Sequence, residues 1–89
     1  MVTRQATVKN AFGIHCRPSA VIASQARSYS GSIRASNHHG DADAKSVLEL
    51  VGLAAACRQE LTIAVEGPDE EQVCAQFVAL FESQFDFER

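Results

Sequence analysis

From Leu61 to Glu66 the chain alternates strictly, with Leu61, Ile63 and Val65 on one side, Thr62, Ala64 and Glu66 on the other, and Gly67-Pro68 stopping the run. A period of two cannot be laid on a helix, so this segment is predicted as a strand with one apolar face, lying mid-sheet. Neighbours for it are visible elsewhere. Residues 2 to 9 set Val2, Ala6 and Val8 against Thr3, Gln5, Thr7 and Lys9, with Arg4 breaking the pattern. Ile33 and Ala35 alternate with Ser32, Arg34 and Ser36. Asn37-His38-His39-Gly40 then reads as a hairpin turn into a brief strand through Ala42 and Ala44.

Three segments carry helical spacing instead. From Cys16 to Tyr29, Ile22, Ala26 and Tyr29 fall on one stripe with Ala20 and Ala23 near its edge. Pro18 sits in the first turn, where a missing N–H is harmless, and Ser30-Gly31 ends the segment. Ser46 followed by Glu49 matches a capping box, predicting a helix that carries Leu48, Leu50, Val51 and Leu53 and that the alanine run Ala54–Ala56 extends. Asp69 is read as the cap of a last helix with Gln72 three residues on. Glu70 and Glu71 suit its positive end, and Val73, Phe77, Leu80 and Phe81 form its stripe. The predicted order β-α-β-β-α-β-α describes an α+β fold, a four-stranded antiparallel sheet with three helices on one face. At 89 residues, 46% hydrophobic and 21% charged, the expectation is a single domain spanning 1–89.

Eight basic against eleven acidic residues give a formal charge of −3, which argues against a nucleic-acid binder and for protein partners. No stretch approaches the roughly 20 apolar residues of a membrane span, and the start MVTRQATVKN lacks a signal peptide's apolar run, so a cytoplasmic protein is expected. Cys16, Cys57 and Cys74 form no CxxC pair and are odd in number, which indicates neither a disulfide framework nor a zinc site; Cys57 and Cys74 are read as small core hydrophobes. His38 and His39 with Asp41 and Asp43 are the residue types of a metal site, but adjacent strand residues point to opposite faces and a polar hairpin tip accounts for them. No metal and no cofactor are expected.

His15 stands immediately before the first predicted helix, where the leading N–H groups and the dipole favour negative charge. A neutral imidazole there has a lone pair that can attack phosphorus, and the same field would stabilise the phosphate once attached. Arg17, two residues on, offers a planar fork of donors that suits phosphate oxygens. Phosphoryl transfer needs mainly positioning and charge stabilisation, which such a pair supplies.

The segment GIHCRPSA, Gly13 to Ala20, closely resembles the GIHARPA signature of the bacterial histidine-containing phosphocarrier family, HPr, of the phosphoenolpyruvate-dependent sugar phosphotransferase system. Lys45-Ser46-Val47-Leu48 is similar to that family's regulatory serine site, at the matching distance from His15, and Gly67-Pro68-Asp69-Glu70 resembles its turn into the last helix. The resemblance implies an open-faced β-sandwich and a relay: enzyme I passes a phosphoryl group to His15, Arg17 steadies it, and the A component of an enzyme II sugar permease receives it. It also implies a docking surface at Leu48 and Val51 with Arg27 and Lys45 nearby, and a kinase or phosphorylase acting on Ser46. A phosphate on Ser46 would add nearly two negative charges beside that surface and slow the relay toward an acidic partner.

The sequence departs from the family at several positions. Cys16 and Ser19 replace alanines, Glu49 replaces a small or basic residue, and Ala54 and Arg58 stand where glycines are common. Three other readings follow: a carrier of the nitrogen-related regulatory branch, a regulatory binding protein acting through phosphorylated Ser46, and a redox or metal site at Cys16. A monomer is expected, with Phe85 and Phe87 the candidates for weak self-association.

Overall fold

The computed structural model describes residues 1–10 and 13–83, so Phe85 and Phe87 lie outside the described residues. Four strands, β1 (Val2–Thr7), β2 (Ser32–Asn37), β3 (Gly40–Asp43) and β4 (Glu60–Glu66), alternate with three helices, α1 (Cys16–Ala26), α2 (Val47–Gly52) and α3 (Glu70–Phe81), in the order β1-α1-β2-β3-α2-β4-α3. The sheet order is β1-β4-β2-β3 with every neighbouring pair antiparallel, and β4 is central as its alternation predicted.

Register explains why the apolar residues collect on one face. Ala6 lies opposite Leu61, Ile33 opposite Val65, and Ala35 opposite both Ile63 and Ala42, and all of these side chains are buried. Ile22, Ala23 and Ala26 of α1, Leu50 of α2, and Cys74, Phe77 and Phe81 of α3 close over them. The other face carries Thr3, Gln5, Arg34 and Glu66, all exposed, so the sandwich is open on that side. Arg4 shares the phase of Val2 and Ala6 but is exposed, because β1 is an edge strand and a long side chain can leave past it.

One amide on each sheet edge is occupied by a carboxylate. The Thr7 N–H donates to Glu82 at 2.9 Å, and the Asp43 N–H donates to Glu49 at 2.8 Å. Each bond occupies an outward amide that would otherwise be open to a foreign strand. The Glu49 contact also corrects the capping box. Ser46 Oγ accepts from the Glu49 N–H at 3.2 Å as predicted, but the Glu49 carboxylate reaches past Ser46 to Asp43, while the Ser46 N–H donates to the Asp43 carbonyl.

The helix ends differ most from the sequence reading. α1 stops at Ala26; Ser28 and Tyr29 form i→i−3 bonds to Gln25 and Ala26, and Tyr29 leaves the stripe to donate its hydroxyl to the Pro68 carbonyl at 2.7 Å. α2 stops at Gly52 and the alanine run does not extend it. Ala54 takes φ 51°, and the turn so formed buries Leu53 and Ala55, which tertiary contact favours over alanine's helix preference. Asp69 makes no capping bond; it is left-handed, and the Gly67 N–H donates instead to Glu70, which also pairs with the Met1 ammonium at 3.0 Å. That ammonium first, and the Gly67 N–H second, hold the Glu70 carboxyl below its ordinary value.

Ala54 and Arg58, at φ 51° and 75°, occupy left-handed positions that cost a residue with a Cβ about 1 kcal/mol each. Both Ala54→Gly and Arg58→Gly are therefore expected to raise the thermal midpoint by roughly 4–8 °C, measured by circular dichroism.

Candidate functional site

The segment leading to His15 is fixed by backbone bonds to the connection between α2 and β4. Val8 N–H donates to the Gln59 carbonyl at 2.9 Å, and Arg58 N–H returns a bond to Val8 at 2.7 Å, which prolongs the sheet beyond β1. Asn10 is buried, and its side-chain amide donates to the Gly13 carbonyl while the Gly13 N–H donates to the Asn10 carbonyl, each at 2.9 Å. Gly13 has φ 76°, and a Cβ there would run into the carbonyl oxygen of Ala55. The space a side chain would fill is used by the Ile14 N–H, which donates to that same oxygen at 2.9 Å.

His15 follows as the N-cap of α1, extended at φ −104° and ψ −159° and half-buried. Cys16 and Arg17 are exposed in the first turn, Pro18 is buried beneath them, and the Ser19 N–H donates to the His15 carbonyl at 2.9 Å. The first turn holds no acidic residue. An imidazole and a guanidinium thus share the N-terminal turn of an 11-residue helix, an arrangement that favours an anion attached to or bound at the ring. Ser19 is the cost of this packing: its Oγ is fully buried with no hydrogen-bond partner among the described residues.

The remaining candidate residues lie along α2 and the far end of α1. The two helices run antiparallel, with the α2 exit tied to the His15 loop by Ile14 and Ala55, and the α2 entry tied to the α1 exit by Arg27 Nε, which donates to the Lys45 carbonyl at 3.1 Å. Ser46 therefore belongs to the opposite end of the helix pair from His15, a distance of about 16 Å along α1 at 1.5 Å per residue. Leu48 is 83% exposed and, with Met1, one of two large apolar side chains so displayed among the described residues; Val51, one turn nearer His15, is half-buried. Leu50 and Leu53 take the core side, which divides a helix that looked apolar all round. Lys45 donates its ammonium to the carbonyls of Tyr29 at 2.8 Å and Gly31 at 2.9 Å, so this cation serves the α1–β2 connection.

Two asparagines, Asn10 and the Asn37 that was read as a turn residue, prove to be braces for the site. Asn10 closes the loop before His15, and the Asn37 side chain donates to the Leu53 carbonyl at 2.9 Å, holding the α2 exit. Cys16 is exposed, Cys57 half-buried, and Cys74 buried in the core, where burial pushes its thiol up against an opposing pull from Arg4. His38 and His39 lie exposed at the hairpin tip with ring centroids 4.1 Å apart. Among the described residues no group of three or more His, Cys, Asp or Glu is placed to hold a metal, and no helix is long and apolar enough to cross a membrane.

A family model described as PTS HPr component phosphorylation site matches residues 2–83. Phosphocarrier protein HPr of Treponema pallidum (strain Nichols) is 34% identical over 88 residues, covering 99% of this chain and 100% of the relative. Phosphocarrier protein NPr of Proteus mirabilis (strain HI4320) is 31% identical over 84 residues, covering 93% of each. The crystal structure of HPr from Thermoanaerobacter tengcongensis aligns with a TM-score of 0.86 at 29% identity over 100% of both chains. The chain belongs to the HPr family of the phosphotransferase system, whose members are phosphocarriers, and its open-faced sandwich is that family's fold.

Replacing the unsatisfied Ser19 hydroxyl, Ser19→Ala, removes a desolvation cost of about 1 kcal/mol without changing the backbone. Urea unfolding is expected to show a higher midpoint for this variant at an unchanged slope.

Proposed function

We propose that the chain accepts a phosphoryl group on His15 from phosphorylated enzyme I and donates it to the A component of an enzyme II sugar permease. The observation that carries this reading is the position of His15 as the N-cap of α1, with Arg17 in the same exposed turn. In acceptance, an imidazole nitrogen forms the bond to phosphorus as the donor's bond to the same phosphorus breaks, and the pair of electrons leaves with the donor. Donation to the A component reverses the roles. Arg17 neutralises charge on the phosphoryl oxygens, and the helix terminus favours the anion between transfers.

Leu48 and Val51 are read as the partner's footing, with Arg27 at its far edge. An 83% exposed leucine one turn from half-buried Val51 supports docking at Leu48, because a partner that covers the two removes apolar surface from water. Lys45 contributes indirectly, since its ammonium is engaged with two carbonyls of the chain. Phosphorylation of Ser46 would place new negative charge beside Leu48 and Glu49 and so lower relay to any acidic partner, while the Ser46 oxygen would cease to be a simple helix cap. Similarity to the Proteus mirabilis NPr favours, as a second reading, a carrier that serves the nitrogen-related branch through the same His15. The acceptor distinguishes the two.

The test is intact-mass analysis after incubation with phosphoenolpyruvate, magnesium and enzyme I, for wild type and His15→Ala. One phosphate on the wild type alone, retained at neutral pH and lost in acid, is the expected result. A wild type that stays unlabelled beside a donor that labels a known carrier would refute the relay.

A further inference from the structure

We propose that His38 and His39, at the tip of the β2–β3 hairpin, form a two-imidazole site for a divalent cation of tetragonal preference, Ni2+ or Cu2+, with water filling the remaining positions. The site stands apart from His15 and does not depend on the relay. Both histidines lie in the turn between β2 and β3, outside either strand, so the alternation that sends strand neighbours to opposite faces does not act on them. Their rings instead stand side by side, with centroids 4.1 Å apart and planes 39° from each other, and both residues are exposed. One side chain holds this turn: the His39 N–H donates to Asn37 Oδ1 at 2.8 Å, and Asn37 Nδ2 donates to the Leu53 carbonyl at 2.9 Å. The backbone that carries the two rings is thus fastened to the α2 exit before any ligand arrives.

The spacing selects the kind of ion. Metal–nitrogen distances of about 2.0–2.1 Å put two imidazole centroids about 4.5 Å apart when the ligands meet at a right angle, and about 5.2 Å apart when they meet at the tetrahedral angle. The observed separation is nearer the first, and small rotations of two exposed rings cover the difference. Ni2+ and Cu2+ favour right-angled nitrogen ligands, whereas Zn2+ in proteins takes the tetrahedral arrangement. Hard Mg2+ prefers oxygen and gains nothing from two imidazoles. The nearest carboxylate along the chain, Asp41, meets Arg34 Nε with both oxygens at 3.2 Å, so it is not counted as a ligand. Access is open, since a Cβ placed on the adjoining Gly40 would meet nothing within 4 Å.

Ni2+ is titrated into the full chain while the imidazole resonances of His15, His38 and His39 are followed by NMR. The expected result is paramagnetic broadening of His38 and His39 together, at Ni2+ concentrations that leave His15 sharp, and no change with Mg2+. Calorimetric titration then compares the wild type with His38→Gln and His39→Gln. Both positions are exposed, so each variant is expected to keep the wild-type melting profile. A chelating pair owes its strength to the second ring being already at hand, so each variant is expected to bind Ni2+ about tenfold more weakly, or worse. Broadening that begins at His15, or at one tip histidine alone, overturns the proposal, as does either variant that binds Ni2+ like the wild type. None of these results bears on the relay, which labelling from phosphoenolpyruvate tests separately.

Discussion

The hydrogen bond from the Ile14 N–H to the Ala55 carbonyl joins the two segments on which the site depends. On one side of it, Gly13 turns the chain out of the extended β1 segment and His15 begins α1; on the other, α2 has just ended and the chain heads for β4. Together with the Val8–Gln59 and Arg58–Val8 bonds before it and α1 packing after it, that bond sets the N-cap position and so relates the imidazole to the exposed face of α2. The bond in turn requires a Cβ-free residue at position 13 and a left-handed residue at 54, since each shapes the backbone on its own side of the contact. Asn10 and Asn37 brace the same two segments, so backbone and amide groups take part in positioning the site.

This division leaves Leu48 displayed on the outer face of α2. His15, Arg17 and Leu48 occupy one helix pair, with the proposed reactive group at one end and Ser46 at the other. A phosphate on Ser46 would sit about a helix length from His15, so its influence on the relay would act through the docking face between them.

The parts of this arrangement that were legible in the sequence are those governed by local pattern. Alternation through Leu61, Ile63 and Val65 revealed the central strand; Pro18 and the position of His15 marked the start of α1; Ser46 announced the α2 cap. Where tertiary demands overrule local preference, the reading failed. Alanine's helical tendency extended α2 through Ala54, but burial of Leu53 and Ala55 and the acceptor needed by Ile14 required a left-handed turn there. Asp69 looked like a cap, yet the ion pair and backbone bond of Glu70 satisfy that end. Glu49 looked like the second half of a capping box, yet the Asp43 amide on the exposed edge of β3, six residues earlier, draws its carboxylate past Ser46. The Asn37 brace was invisible because its acceptor, Leu53, is brought to it by a chain reversal, whereas the Asn10 brace is local and the Asn10–Gly13 spacing carried a hint of its turn.

Amide hydrogen exchange at Ile14, followed by NMR in the wild-type protein, tests the central link most directly. The account predicts slow exchange, with protection comparable to Ile63 in the central strand, because the Ile14 N–H is buried and bonded to an element distant in sequence. Exchange at the rate of an exposed loop amide would contradict it, leaving His15 on a segment that the α2 exit does not hold.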